Sequence, residues 1–158
     1  EADIDLPSVS DRKGALPLPV AGETLRRSGE TDAAGITRPG ILIATRPRAL
    51  VTTPVAASIR YRGPLLDYGL VTILEPEPDV LFVFAGLETV FGETGQVLPQ
   101  DSPVGLMGGF EAIGDDILSP SGERTGAALS ETLYIEVRQG DTPEDPFGWF
   151  ADDKGMTE

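Results

Sequence analysis

Four polar side chains occupy every second position of one stretch, Glu131-Thr132-Leu133-Tyr134-Ile135-Glu136-Val137-Arg138. Leu133, Ile135 and Val137 alternate with them, which is the period of a strand with one buried face. Thr132, Tyr134, Glu136 and Arg138 therefore share the other face, where a phenol, a carboxylate and a guanidinium can hydrogen-bond to a partner. The guanidinium is shaped to fork onto a carboxylate. Acid–base and metal chemistry of the common kinds is excluded, because the sequence contains no histidine and no cysteine. Histidine is the commonest metal ligand and the usual general base near neutral pH. Without it there is no Ser-His-Asp or Cys-His centre and no imidazole zinc site. Without cysteine there is no disulfide framework and no thiolate metal site. Carboxylates are numerous, but they lie mostly in turns, and no spacing marks out a glycosidase pair. The only lysines, Lys13 and Lys154, lie near the ends, so the hairpin-tip lysine of a lipoyl- or biotin-type carrier is missing.

The charge distribution bounds the partners. Acidic residues number 26 against 12 basic ones, a formal charge of −14 over 158 residues, which argues against nucleic acid or an anionic membrane surface. No apolar run reaches the ~20 residues of a membrane span. The basic residues are unevenly placed. Arg38, Arg46, Arg48, Arg60 and Arg62 fall in a segment without a single acid, whereas 18 acids follow from Glu75 onward. Such a patch either docks a carboxylate-bearing partner or decorates solvated strand edges.

These groups must be positioned by strands. The 19 glycines and 14 prolines suit many short strands joined by tight turns, and nothing from 35 to 138 sustains a helical period. Residues 1–15 read as a tail or linker from a preceding segment, 16–22 as a Pro-punctuated extended stretch, and 23–35 as loop. Strands are predicted at 40–45, 50–53, 56–61, 68–74 and 80–85, with a turn at Glu75–Asp79 making the last two a hairpin. Shorter β pieces follow at Val97 and 104–108, and the closing strand is 131–138. Gly109–Ser130 exceeds ordinary loop length and is read as a flap or as carrying a short helix near 127–129. Residues 139–143 read as turn, Trp149 as a cap over one end of the core, and 151–158 as a C-terminal tail.

An ordered series of short motifs runs through this framework: Leu16-Pro-x-Pro-Val20, Gly40-Ile-x-Ile-Ala44, Pro54-Val-x-Ala57, Tyr68-Gly69 before an apolar strand, Leu81-x-Val-Phe-Ala-Gly-Leu87, Gly95-Gln-Val97, Pro103-Val-Gly-Leu-Met-Gly108, Leu133-Tyr-Ile-Glu-Val-Arg138 and Pro146-x-x-Trp149. The series resembles the LytM domains, the lysostaphin-type zinc peptidases that cut cell-wall cross-links, over residues 16–150. The implied fold class is all-β, an antiparallel β-sandwich (barrel-sandwich hybrid) with long loops. Active members carry His-x-Gly-x-Asp, Tyr-Ala-His-Leu and His-x-His motifs that supply the zinc ligands and a proton-transfer histidine. At the matching positions this chain reads Arg38-Pro39-Gly40-Ile41-Leu42, Phe84-Ala85-Gly86-Leu87 and Thr132-Leu133-Tyr134. Arginine does not ligate zinc, and leucine and glycine side chains offer no ligand atom, so the resemblance implies no catalytic residue, metal or cofactor.

Among LytM domains the chain is most similar to degenerate ones, the EnvC-type murein hydrolase activators, in its Leu-Pro-x-Pro-Val opening, the apolar residue in place of the Asp ligand, and Leu-Tyr-x-Glu-x-Arg on the last strand. That likeness implies a periplasmic, non-catalytic protein of a Gram-negative bacterium. It would activate N-acetylmuramoyl-L-alanine amidases in cell division and separation, and be linked to the division machinery by a preceding coiled coil outside this chain. The amidase would enter the former catalytic groove, whose expected residues are Arg38, Leu42, Tyr68, Gly86, Thr132, Tyr134 and Arg138, with Gly86 leaving room where a histidine stands in active members. The alternative is a module that holds peptidoglycan in the same groove without activating anything.

Overall fold

The computed structural model describes residues 13–31, 35–65, 68–109 and 131–151. Eleven strands run in chain order: β1 Glu23–Arg26, β2 Ile41–Ala44, β3 Leu50–Thr52, β4 Ala57–Leu65, β5 Gly69–Glu77, β6 Val80–Leu87, β7 Thr89–Val90, β8 Val97–Leu98, β9 Pro103–Leu106, β10 Thr132–Gln139 and β11 Thr142–Glu144. A 3-10 turn at Pro146–Gly148 follows, capped where the Asp145 carboxylate accepts from Phe147 N. No α-helix occurs among the described residues, so the all-β expectation holds. The strands form two antiparallel sheets. The large one has the order β1-β2-β10-β6-β5-β4-β8, with β11 beside β10, and the small one has the order β3-β9-β7.

The alternation read in the closing strand places β10 at the centre. Its first half pairs with β2, its second half with β11, and its other edge with β6. Leu133, Ile135 and Val137 enter the core with Ile41, Ile43, Phe82 and Phe84, and the small sheet contributes Val51, Val90 and Val104 to the same cluster. Trp149 is fully buried and lies edge-on to Phe82 at 6.1 Å between ring centroids, while Phe150 lies at 5.3 Å. Trp149 thus closes one end of the core, as its position suggested. Residues 13–15 already belong to this end, since Gly14 N donates to Trp149 O at 2.8 Å and Leu16 bridges to Phe150.

Several boundaries differ from expectation for identifiable reasons. The segment read as loop from 23 contains β1, an edge strand whose register shifts between Thr24 and Arg26. Its sequence, Glu-Thr-Leu-Arg, carries no apolar alternation, and its one large apolar side chain, Leu25, is exposed. The turn expected at Glu75–Asp79 is shorter, because β5 continues to Glu77 and only Pro78 and Asp79 turn, with Asp79 at φ 75°. Strand β4 extends to Leu65 because a bulge at Arg60 carries the pairing past Gly63 and Pro64. Part of the expected turn 139–143 is β11, held by pairing with β10. The suggested flap or helix at 109–130 lies outside the described residues, apart from Gly109.

Candidate functional site

The outer face of the large sheet carries a second, smaller apolar cluster. Val71, Ala85 and Tyr134 are buried there, and Leu42, Tyr68, Ile73 and Val83 pack against them. Strand register explains the set. Leu42, Tyr134, Ala85 and Val71 are successive cross-strand partners on β2, β10, β6 and β5, and Glu136, Val83 and Ile73 form the next row. Directly paired residues share a face, so the parity of Tyr134 determines the floor of this surface across four strands.

Gly86 is the extra residue of the bulge that keeps this parity. Between β5 and β6, one step from Leu70 to Val71 corresponds to two steps from Leu87 to Ala85. Leu87 thereby returns to the core while Ala85 stays on the outer face. Gly86 has φ +100°, and a Cβ there would lie 2.7 Å from the carbonyl oxygen of Thr132. The expectation that Gly86 leaves open room is therefore corrected. Backbone already fills the space, and the glycine serves the bulge.

The polar residues of the face are linked in one network. The Tyr134 hydroxyl accepts from Gly40 N at 3.0 Å and donates to Glu136 Oε1 at 2.8 Å. The other oxygen of Glu136 is ion-paired with Arg138, which also donates to Asp141 O at 3.4 Å. Tyr134 and Glu136 are each only 8% exposed. The Tyr134 hydroxyl is held well above the ordinary tyrosine range by its burial and then by the Glu136 hydrogen bond and charge, while the Gly40 N–H acts in the opposite sense. Gly40 must be glycine for this arrangement, since a Cβ would fall 2.4 Å from Ile135 O and 2.5 Å from Tyr134 Cζ.

Above this network Arg38 Nη1 donates to the Tyr68 hydroxyl at 2.9 Å, and the Tyr68 ring lies 5.7 Å from that of Tyr134. The structure thus brings Arg38, Leu42, Tyr68, Tyr134 and Arg138 together, with Gly86 beside them in the bulge and Thr132 one step along the same face. Tyr134 and Arg138, expected as open contact groups, are engaged within the chain. Glu136, placed on this face by the sequence but not among the expected groove residues, and Gly40 complete the site. The parity of β10 points to Glu136, but no local signal marks a bond between residues 40 and 134. The other arginines of the acid-free segment scatter: Arg60 pairs with Glu75, and Arg62 donates to Val90 O at 3.0 Å. A separate cleft of about 450 Å³, lined by Ala15 and residues 17–21 with Leu50, Thr52 and Ala151, carries no ionisable side chain.

No family model matches the chain. A curated relative is the uncharacterized protein NMB1333 of Neisseria meningitidis serogroup B, 24% identical over 140 residues. The match takes in 89% of this chain but spans only 21% of that protein. Among solved structures, a zinc-containing peptidase from Vibrio cholerae superimposes with a TM-score of 0.64 at 15% identity, covering 89% of this chain and 41% of the peptidase. The SpoIIQ–SpoIIIAH pore-forming complex superimposes at 0.66 with 16% identity, covering 89% of this chain and 92% of the matched one. The fold is that of the LytM and lysostaphin-type peptidase domains. Proteins sharing it thus include a peptidase and a component of a protein–protein complex.

The residues present do not fit the metal that this fold implies. At the positions where the resemblance places ligands stand a guanidinium, a leucine, a glycine, a threonine and a tyrosine whose hydroxyl is already shared between Gly40 and Glu136. The one carboxylate within reach of that hydroxyl is neutralised by Arg138. Among the described residues no three His, Cys, Asp or Glu side chains come together as a cation site.

Proposed function

We propose that this domain is a non-catalytic activator of periplasmic N-acetylmuramoyl-L-alanine amidases in Gram-negative cell division, and that it receives the amidase on the outer face of the large sheet. The observation that carries this reading is the combination at that face. Its polar groups are engaged with one another and assemble no zinc ligand set among the described residues, and β2, β10, β6 and β5 present an apolar floor around Leu42, Ile73 and Val83. Apolar side chains on an outer sheet face are costly to hydrate and favour a covering partner. The SpoIIQ–SpoIIIAH complex supports the reading by analogy, as a case in which a chain of this fold is found with a protein partner.

Activation follows by population shift. A domain that binds only the uninhibited form of the amidase draws the enzyme toward that form, and a preference of about 5.5 kcal/mol is needed to move a population from 1:99 to 99:1. The test is dye release from labelled peptidoglycan, with the domain alone, the same organism's periplasmic amidase alone, and both together. The domain alone is expected to be silent and the mixture faster than the amidase. Leu42→Glu and Ile73→Glu variants, checked for native circular dichroism, are expected to lose the acceleration. Dye release by the domain alone would overturn the non-catalytic reading. Unaltered amidase rates, together with retention of the domain on purified wall, would favour the peptidoglycan-binding module.

A further inference from the structure

We infer that Arg38 and Tyr68 form a clasp over the outer face and that a carboxylate on the partner opens it; this inference rests on the reading that the face receives an amidase. The two side chains come from opposite sides of the surface. Arg38 lies in the segment entering β2 and Tyr68 in the turn entering β5, with β10 and β6 between those strands. Three inter-strand steps separate β2 from β5, about 14 Å at the usual spacing, and the contact closes that gap above Tyr134. The Tyr68 ring then covers Tyr134 at 5.7 Å and packs on the cluster of Val71 and Ala85. The apolar floor is thereby roofed by one hydrogen bond from the guanidinium to the Tyr68 hydroxyl and by the guanidinium's position over the Tyr68 ring, 5.4 Å from its centroid.

That bond is poised for exchange. A guanidinium has five donors, and Arg38 spends one of them on Tyr68. Among the described residues neither Arg38 nor Arg26 is ion-paired, and Arg26 stands opposite Leu42 on the neighbouring edge strand. Glu136, at the centre of the face, is already neutralised by Arg138. On a chain of net charge −14, this side of the face is therefore cationic and selects an acidic segment. A carboxylate offers Arg38 two parallel bonds with opposite charge on the acceptor, where the Tyr68 hydroxyl accepts one bond and carries no such charge. Once Arg38 turns to it, Tyr68 loses its hydroxyl partner and can leave Tyr134, which exposes Ala85 and Val71 to apolar side chains of the same segment. Charge reading and apolar docking are thus coupled, and an apolar segment without an acid reaches the half-buried Leu42, Ile73 and Val83 but not the residues under the Tyr68 ring.

The test is calorimetric titration of the domain with the purified periplasmic amidase of the same organism, at low and high salt. Arg38→Gln is expected to weaken binding about tenfold at low salt and to flatten its salt dependence, with Arg38→Lys recovering the salt dependence but only part of the affinity. Tyr68→Phe removes only the clasp hydroxyl. It is expected to tighten binding about two- to tenfold, the worth of one ordinary hydrogen bond. Wild-type binding that is indifferent to Arg38→Gln and to salt, or binding weakened by Tyr68→Phe, would overturn this inference and leave the amidase reading standing. Absence of wild-type binding would overturn both.

Discussion

Removing the hydroxyl of Tyr134 tests whether the outer-face network is structural. Tyr134→Phe keeps the ring, its 5.7 Å contact with Tyr68 and nearly all its packing. It takes the acceptor from Gly40 N–H and one donor from Glu136. Both bonds are buried. An orphaned buried N–H costs about 1–3 kcal/mol, and a hydrogen bond to a charged group contributes about 1.5–3 kcal/mol. The two losses share one oxygen and Glu136 keeps Arg138, so they do not simply add. A loss of about 2–4 kcal/mol is expected. For a domain of this size each kcal/mol lowers Tm by about 2–4 °C, so the midpoint falls on the order of 10 °C. Urea unfolding with an unchanged m-value measures it. Tyr61→Phe is the control, because the Tyr61 hydroxyl donates to Pro64 O at an exposed edge and such sites are usually neutral to about 0.5 kcal/mol. A Tyr134→Phe loss no larger than that of Tyr61→Phe would refute the view that the network ties β2 to β10.

Three further outcomes follow from the same geometry. Gly40→Ala forces a methyl against Ile135 O and the Tyr134 ring and should destabilise by about 1–3 kcal/mol or more, seen as a lower urea midpoint. Gly86→Ala meets both a positive φ and the Thr132 carbonyl and should cost a similar amount, about 1–3 kcal/mol; hydrogen exchange should then quicken at the ends of β5 and β6 rather than throughout. Because the Tyr134 hydroxyl is raised in the folded state, its contribution to stability is fully present below the ordinary tyrosine pKa of about 10. That contribution is lost as pH climbs above 10, at up to about 1.4 kcal/mol per pH unit. The difference in unfolding free energy between wild type and Tyr134→Phe should therefore shrink in alkaline solution and stay constant between pH 7 and 9.

Legibility in the sequence followed the range of the interactions. The parity of β10 was readable because Leu133, Ile135 and Val137 alternate with polar neighbours, and the β5–β6 hairpin because apolar runs flank a Pro-rich turn. Strands β1 and β11 were not readable. Their residues have little pattern of their own, and they exist because β2 and β10 offer open edges to pair with. The bulges at Arg60 and Gly86 are also products of pairing. At the site, the sequence placed Leu42, Tyr68, Tyr134 and Arg138 on one surface through motif order. It did not show that Tyr134 and Arg138 would be consumed by Glu136, or that Gly40, 94 residues away from Tyr134, would supply the remaining bond. A hydrogen bond between distant residues leaves no periodic trace.

The network also explains why a metal site cannot be built on this face one residue at a time. Replacing Tyr134 with histidine would withdraw the hydroxyl from Gly40 N–H and Glu136 together and leave Glu136 dependent on Arg138 alone. Replacing Leu42 with aspartate would take an apolar side chain out of the cluster of Val71, Ala85 and Tyr134 and set its carboxylate opposite Arg26, which would compete with a metal for it. Replacing Gly86 with histidine would collide with the Thr132 backbone. Each single step lowers stability before any ligand set is complete. The glycine at 40, the bulge at 86 and the buried tyrosine and glutamate therefore behave as one unit. Together they hold β2 against β10, while the less buried groups around them, Arg38 and Tyr68, form the clasp through which a partner is proposed to be read.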